Sequence, residues 1–172
     1  DYFNTLKFAR KFQTLYPKNE NIAYIDFLIA MTFYEQVQIV ARDQTYTKVA
    51  LKEFKNIIEK YPNSKYAKES KLKIDLINEQ LAGKHMYLAR FYMKKSKWIS
   101  AIRRLNIILE EYPETIYTIE TLHRLVEIYY KLGNIALAKK YAATLGYNFN
   151  DSDWYKKTYK IVVDQNYESD TK

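Results

Sequence analysis

Apolar residues recur three or four positions apart over most of the chain, as in Ile74, Ile77 and Leu81. This period of about 3.6 residues predicts amphipathic helices rather than strands. Proline cannot continue a helix, and it biases the residue before it towards extended geometry. Apolar runs end at a recurring turn, found at Tyr16-Pro17, Tyr61-Pro62, Tyr112-Pro113 and, in a weaker copy without proline, at 147–152. The pattern therefore predicts helix-turn-helix units in series.

Small residues recur in these units where paired helices would cross closely. Counted back from Pro113, the roughly 34-residue tetratricopeptide pattern places suitable residues at its diagnostic positions, namely Leu88, Ala89, Tyr92, Ala101, Leu105 and Ile108. Counted back from Asn150, the same positions hold Leu125, Val126, Tyr129, Ala138, Ala142 and Leu145. The pattern predicts an all-α fold, a right-handed superhelical solenoid of tetratricopeptide-like helix pairs.

We predict a single solenoid over residues 1–172. Its parts are the second helix of a truncated first repeat (1–17), a repeat with a loop insertion (18–62), a repeat with a long first helix (63–114), a further repeat (115–150), and a last helix with a tail (151–172). Since the chain opens at Asp1 within a helical pattern, we expect that upstream sequence has been removed.

Two places depart from the regular repeat. Ala30 and Ala50 lie about eight residues further apart than the repeat allows, which predicts an inserted loop within residues 36–48 on a face that solenoids often use for binding. After Pro62 the next unit starts late, which predicts one long helix over 64–95. Gly83 is the weak point of that helix, where we expect a kink or break.

Composition narrows the range of functions. The chain has no Cys, which excludes disulfides and thiolate-based sites, and it has no apolar run long enough to span a membrane. The net charge is +8, but the basic residues are scattered as pairs over successive helices, such as Lys94-Lys95 and Arg103-Arg104. Scattered pairs indicate solvated faces, so we expect no nucleic-acid partner.

No pattern predicts catalysis. The sequence has no nucleophile elbow, phosphate-binding glycine loop or metalloprotease motif, so we expect no enzyme activity, no metal and no cofactor. Its histidines, His85 and His123, belong to different repeats. His85 occupies a packing position and is expected to be core or half-buried. His123 occupies a position that faces the concave groove of such repeats, where it could contact a partner.

The first complete repeat places aromatic residues on its predicted concave face. The residues at these positions are Tyr24, Phe27, Met31, Tyr34 and Glu35. Rigid aromatic side chains suit a peptide-binding groove, although ordinary helix packing explains Phe27 or Met31 equally well. In the later repeats half of the same positions are charged, as at Arg90, Glu120 and Glu127. We therefore expect two kinds of partner, one at each end of the groove.

Several segments resemble the ComL/YfiO family, the tetratricopeptide lipoproteins of the outer-membrane β-barrel assembly machine. They are Tyr34-Glu35-Gln36, Ala41-Arg42-Asp43-Gln44, Tyr61-Pro62-Asn63-Ser64-Lys65-Tyr66-Ala67, Arg90-Phe91-Tyr92, Ala101-Ile102-Arg103-Arg104 and Leu145-Gly146-Tyr147. The inserted loop and the long helix are more specific to this family than the repeat pattern is.

The resemblance implies a non-enzymatic scaffold on the periplasmic face of the outer membrane, anchored in the inner leaflet by a lipidated N-terminal Cys that this chain lacks. It implies that early repeats receive unfolded outer-membrane proteins, here through Tyr24, Phe27, Met31, Tyr34 and Glu35. It also implies that late repeats dock the POTRA region of the barrel protein BamA, and that other lipoproteins of the machine can join. Arg104 matches a family arginine implicated in that docking, and we add His123 and Tyr130 from the groove.

Two other interpretations remain open. The chain could be another periplasmic tetratricopeptide adaptor, of the cell envelope or associated with the Tol system, but such proteins usually have regular repeats without the insertion. It could instead be a cytosolic co-chaperone that clamps carboxylates, but the aromatic groove of the first complete repeat lacks the basic residues for such a clamp.

Overall fold

The computed structural model describes residues 1–39 and 44–170. Within them the chain forms helices and no strand, so the all-α prediction is confirmed. The helices are α1 (Tyr2–Leu15), α2 (Ile22–Ile39), α3 (Gln44–Lys60), α4 (Lys65–Lys94), α5 (Trp98–Glu111), α6 (Tyr117–Lys131), α7 (Ile135–Asn148) and α8 (Asp153–Asp170). None of these helices is both long and apolar enough to cross a membrane.

The Tyr-Pro turns end helices as predicted, and serine hydroxyls cap two of the helices that follow. Ser64 Oγ accepts the backbone N–H of Ala67 at the start of α4, at 3.1 Å. Ser152 Oγ accepts the N–H of Tyr155 at the start of α8, at the same distance. Thr115, before α6, differs, because its hydroxyl donates back to Tyr112 O. The side chains at these turns thus satisfy backbone groups that a helix end leaves free.

The turns within the last two helix pairs share one geometry. Ser96, between α4 and α5, and Gly133, between α6 and α7, both have positive φ, 54° and 73°. In each turn the next residue's N–H returns to a carbonyl of the preceding helix, from Lys97 to Tyr92 at 2.9 Å and from Asn134 to Tyr129 at 2.9 Å. This is the left-handed helix ending that glycine adopts most easily.

The predicted long helix is confirmed, since α4 runs over 30 residues from Lys65 to Lys94. The expected break at Gly83 is wrong, because α4 is helical through it. A Cβ atom on Gly83 would lie 2.9 Å from Oη of Tyr117 in α6. The absence of a side chain at Gly83 therefore leaves room for Tyr117 of α6 to approach α4, and the expected kink stays a prediction.

The insertion takes a different form from the one predicted. The expected loop within 36–48 is helical at both ends, because α2 continues to Ile39 and α3 begins at Gln44. Only residues 40–43 remain for a loop, and they lie outside the described residues. The extra length therefore goes mainly into longer helices, which keep their backbone hydrogen bonds satisfied.

The chain divides into two compact units, residues 1–77 (unit 1) and 78–172 (unit 2), with the boundary inside α4. In unit 1, α2 packs against both α1 and α3. It is apolar around most of its circumference, as expected of a helix covered on several sides. The core of unit 1 contains Ala30, Ala50, Phe54 and Ile57, all almost fully buried.

The core of unit 2 follows the repeat positions closely. One cluster joins α4, α5 and α6, and consists of Ala82, Met86, Ala89, Ala101, Leu105, Ile108, Leu125 and Ile128. A second joins α6 and α7 through Val126, Tyr130 and Ala138, with Ile161 and Val162 of α8 packed against it. The small residues at the helix crossings are fully buried, as the pattern predicted. The single solenoid and its right-handed superhelix stay predictions.

Candidate protein-binding surfaces

The aromatic face of α2, defined as Tyr24, Phe27, Met31, Tyr34 and Glu35, is only partly exposed. Phe27 is buried, with its ring 6.0 Å from the ring of Phe54 and 5.5 Å from that of Tyr66. Tyr24 is 44% exposed and also contacts Tyr66, at 5.8 Å. Phe27 is therefore a core residue, as the packing interpretation allowed, and Tyr24 is the aromatic residue best placed to meet a partner.

The rest of the aromatic face offers a mixed surface. The Tyr34 ring meets the Phe54 ring edge-on at 6.2 Å, and Lys73 Nζ lies 5.0 Å from its centre. Tyr34 and Met31 are half-buried, and Glu35 is exposed. A lysine over an aromatic ring holds that ring in place without covering it fully. The exposed part of this aromatic face therefore consists of Tyr24 and Glu35, together with the partly exposed side chains of Met31 and Tyr34.

A buried carboxylate in unit 1 was not predicted from the sequence. Asp26 of α2 accepts hydrogen bonds from Gln13 of α1 and from the Tyr61 hydroxyl, the latter at 2.9 Å. Burial and the hydrogen bond to Asp26 raise the pKa of Tyr61 to about 12. Lys60 Nζ lies 3.8 Å from the same carboxylate but is itself largely exposed. Asp26 of α2 thus links α1 to the Tyr61-Pro62 turn that ends α3.

Unit 1 also contains a cleft of about 760 Å³ that the sequence did not indicate. Its lining is mainly apolar, with Phe33 from α2 and Tyr46 from α3, and α1 contributes the basic residues Lys7 and Arg10. Its lining residues are Tyr2, Phe3, Leu6, Lys7, Arg10, Phe33, Gln36 and Tyr46. The cleft forms where α1, α2 and α3 approach one another, and hydrophobic periodicity along the sequence does not predict such contacts.

In unit 2 the predicted charged face is a connected network. Glu120 of α6 is only 5% exposed, and it accepts hydrogen bonds from Arg90 of α4 and Arg124 of α6. Arg90 approaches it with Nε at 3.0 Å and also with Nη2. Burial would raise the pKa of Glu120, but the hydrogen bonds and charges of the two arginines outweigh it and lower the pKa. Glu120 therefore stays ionised and orients both guanidinium groups.

Glu127, about two turns after Glu120 on α6, extends this network. Arg124 Nη1 donates to Glu127 Oε2 at 2.8 Å, and His123 Nε2 lies 3.6 Å from Oε1. Burial would raise the pKa of Glu127, but its hydrogen bonds with His123 and Arg124 lower it to about 2. The Arg124 guanidinium also lies 5.1 Å from the ring centre of Trp154 in α8. Contacts with Glu120, Glu127 and Trp154 thus fix the position of the Arg124 guanidinium.

The structure buries His123 instead of exposing it on a groove, and its contact with a partner stays a prediction. His123 is 3% exposed, its Nδ1 lies 2.7 Å from Thr158 Oγ1, and its ring lies 4.9 Å from that of Trp154. Both of these contacts come from α8, which packs against α6. Tyr130, the other groove residue expected to bind a partner, is also buried. The helix that follows, α8, therefore covers His123.

The side chain of Arg104 is partly exposed to solvent, as contact with a partner would require. It lies half-buried on α5, whereas the adjacent Arg103 is exposed. Burial and the positive charge of Arg104 lower the pKa of His85. His85 is half-buried against Tyr112, with ring centres 6.0 Å apart, which confirms its predicted packing role. Among the predicted BamA-binding residues, Arg104 is half-buried, whereas His123 and Tyr130 are buried.

A smaller cleft lies beside the charged network. It has a volume of about 190 Å³ and is lined by Arg90, Met93, Lys94 and Arg124. We call these residues the cationic cleft. In the part of the chain that the structure describes, no three potential metal ligands cluster. The absence of a metal, a cofactor and catalysis stays a prediction.

Known proteins match nearly the whole chain. The model of the YfiO family, described as outer membrane lipoprotein, matches residues 1–145. The outer membrane protein assembly factor BamD of Rickettsia prowazekii is 41% identical over 168 residues, which cover 98% of this chain and 66% of that protein. BamD of Caulobacter vibrioides is 39% identical over 163 residues, covering 95% of this chain and 53% of that protein. BamD of Xylella fastidiosa is 29% identical over 156 residues, 85% of this chain.

The chain therefore spans between half and two thirds of the length of these relatives. Its repeat positions, its long α4 and its lengthened α2 and α3 all lie within the matched residues 1–145. The chain belongs to the YfiO family of outer membrane lipoproteins.

Proposed function

We propose that this chain is a non-enzymatic, protein-binding scaffold of outer-membrane β-barrel assembly, acting on the periplasmic face of the outer membrane. The observation that carries the proposal is the 41% identity to an outer membrane protein assembly factor over 98% of the chain. A right-handed superhelix of helix pairs would give it an extended binding surface. The same observation favours this function over the alternative of a Tol-associated adaptor.

In this proposal, unit 2 docks the POTRA region of BamA through Arg104. An arginine that is already half-buried loses less hydration and less conformational freedom on binding than a fully exposed one. Residues 91–109, which include Arg104, contain no acidic residue, so no neighbour in that segment competes for its charge. A carboxylate of the partner could then form the two-pronged pairing that arginine favours.

Unit 1 receives segments of unfolded outer-membrane proteins in the same proposal. Tyr24 supplies exposed aromatic area, and Met31 and Tyr34 supply half-buried apolar edges. Phe27 supports this surface from beneath, because it packs against Phe54 and Tyr66. Aromatic side chains fixed in this way contribute contact area at low entropic cost.

The test of docking is charge reversal at Arg104 with a matched neighbour. Arg104→Glu should abolish co-purification with the BamA POTRA region, while Arg103→Glu, at the exposed neighbouring position, should retain it. An exposed ion pair is worth only about 0–1 kcal/mol, whereas truncating a buried interfacial pair costs about 2–5 kcal/mol. Circular dichroism of both variants checks that the helices are intact. Equal co-purification of the two variants would reject Arg104 as the docking residue.

A further inference from the structure

The cationic cleft of unit 2 brings three positive side chains to one small concavity. Arg90 and Lys94 come from the last turns of α4, and Arg124 comes from α6. Met93 supplies the apolar part of the lining. A space of about 190 Å³ accommodates a carboxylate and its methylene stem, but not a nucleotide or a folded domain.

The two arginines are held in place before any ligand arrives. Glu120 engages Nε and Nη2 of Arg90 and Nε of Arg124, and Glu127 engages Nη1 of Arg124. Among the described residues, no acceptor is engaged by Nη1 of Arg90 or by Nη2 of Arg124, and each of these groups carries two N–H donors. Donors fixed by buried carboxylates bind a ligand without first losing side-chain freedom.

The charges of the cleft and its network leave a positive balance. Arg90, Lys94 and Arg124 are only partly offset by Glu120 and Glu127. Lys94 takes part in none of the ion pairs formed by the residues that the structure describes. The segment that follows α4 adds no negative charge, since 91–109 lacks acidic residues. The cleft therefore retains the capacity to neutralise one more anion.

We propose that the cationic cleft binds a single carboxylate presented by an extended segment of a partner protein, either an aspartate or glutamate side chain or a C-terminal carboxylate. Nη1 of Arg90 and Nη2 of Arg124 can each donate to one oxygen of the carboxylate, Lys94 supplies a further positive charge, and Met93 contacts the stem. This proposal rests on the protein-binding function above. It concerns a different surface from Arg104 of α5 and from the aromatic face of α2.

The test uses the whole chain and three short peptides of glycine and serine labelled with fluorescein. The first has a central aspartate and an amidated C-terminus, the second has asparagine instead of aspartate, and the third is the asparagine peptide with a free C-terminal carboxylate. Fluorescence anisotropy should show binding of the first or the third peptide at least about tenfold tighter than of the second, since a hydrogen bond to a charged group is worth about 1.5–3 kcal/mol. The stronger of the two identifies the source of the carboxylate.

Lys94→Met should weaken binding of the preferred peptide about tenfold. Lys95→Met is the matched control, because it removes the same charge from an adjacent exposed position that does not line the cleft, and it should change binding less than twofold. Equal binding of all three peptides, no binding at millimolar peptide, or equal effects of the two variants would overturn the proposal. Competition by inorganic phosphate at micromolar concentration would also overturn it, in favour of a phosphate site. Failure of BamA docking would leave these results unchanged.

Discussion

The same repeat position is filled by Phe27 in unit 1 and by His123 in unit 2, and both side chains are buried. Phe27 makes ring contacts with Tyr66 at the start of α4 and with Phe54 of α3. His123 packs against α8 with a hydrogen bond to Thr158 and a ring contact with Trp154. This predicted groove position is therefore used for packing in both units. In unit 1 the residue at this position packs through an aromatic ring, whereas in unit 2 it also makes a hydrogen bond.

The buried carboxylates of the two units differ in a related way. Asp26 is satisfied mainly by neutral donors, the amide of Gln13 and the hydroxyl of Tyr61. Glu120 is satisfied by the guanidinium groups of Arg90 and Arg124. Both carboxylates accept charge-assisted hydrogen bonds, but only Glu120 also has positively charged donors, which add a direct charge–charge attraction. Unit 2 should therefore depend more on electrostatics, and unit 1 more on apolar packing.

The largest effect is expected from the core of unit 1. Phe54 is fully buried and contacts both Phe27 and Tyr34, so Phe54→Ala should cost about 3–5 kcal/mol. Phe3→Ala, at a side chain that is 75% exposed, is the control and should cost less than about 0.5 kcal/mol. Hydrogen exchange read separately on peptides from each unit should show faster opening in residues 1–77. Equal protection in the two variants would contradict the assignment of Phe54 as the core of unit 1.

Acid should destabilise unit 2 through Glu127. Its pKa in the folded chain is about 2, below the ordinary value of 4.5, so its contribution is present above pH 4.5 and is lost as pH falls towards 2. The shift corresponds to a loss on the order of 3 kcal/mol. Urea unfolding at pH 7 and pH 3 should show a smaller loss for Glu127→Gln, which lacks the titrating group. An equal loss in the variant would mean that other carboxylates cause the acid sensitivity.

Amide substitution at the two buried carboxylates compares the units directly. Glu120→Gln should cost about 2–3 kcal/mol, because two guanidinium groups lose their ionised acceptor. Asp26→Asn should cost about 1 kcal/mol, because its main partners are neutral and one oxygen remains to accept. The free energy of unfolding of each variant at pH 7 measures the difference. If the two costs were equal, the charged partners of Glu120 would contribute no more than the neutral partners of Asp26.

The smallest effects are expected at the two matched turns of unit 2. Ser96→Gly should stabilise by up to about 1 kcal/mol, because it relieves a side chain from positive φ. Gly133→Ala should destabilise by about 1 kcal/mol for the opposite reason, with no other atom within 4 Å of the added Cβ. Thermal unfolding measures both changes, and shifts of the same sign in the two variants would show that backbone strain is not the cause.

The sequence predicted the helices well, because periodicity, Tyr-Pro turns and small crossing residues are local signals. Ala89 and Ala101 are fully buried as expected, and α4 has the predicted length. The site was predicted less well. The burial of His123 depends on α8, and the role of Asp26 depends on Gln13 and Tyr61 from other helices. These contacts join residues far apart in the chain, so no pattern in one segment reveals them.

The central proposal is that unit 1 and unit 2 bind different partners through separate surfaces. The most direct test measures the affinity of two variants for each partner. The chain and its Arg104→Glu and Tyr24→Ala variants would each be titrated with the BamA POTRA region and with an unfolded outer-membrane protein segment. We predict that Arg104→Glu loses POTRA binding by at least about thirtyfold and keeps segment binding, since about 2 kcal/mol corresponds to that factor. We predict the reverse selectivity for Tyr24→Ala. Loss of both partners in either variant, or of neither partner in both, would contradict a scaffold with two separate binding surfaces.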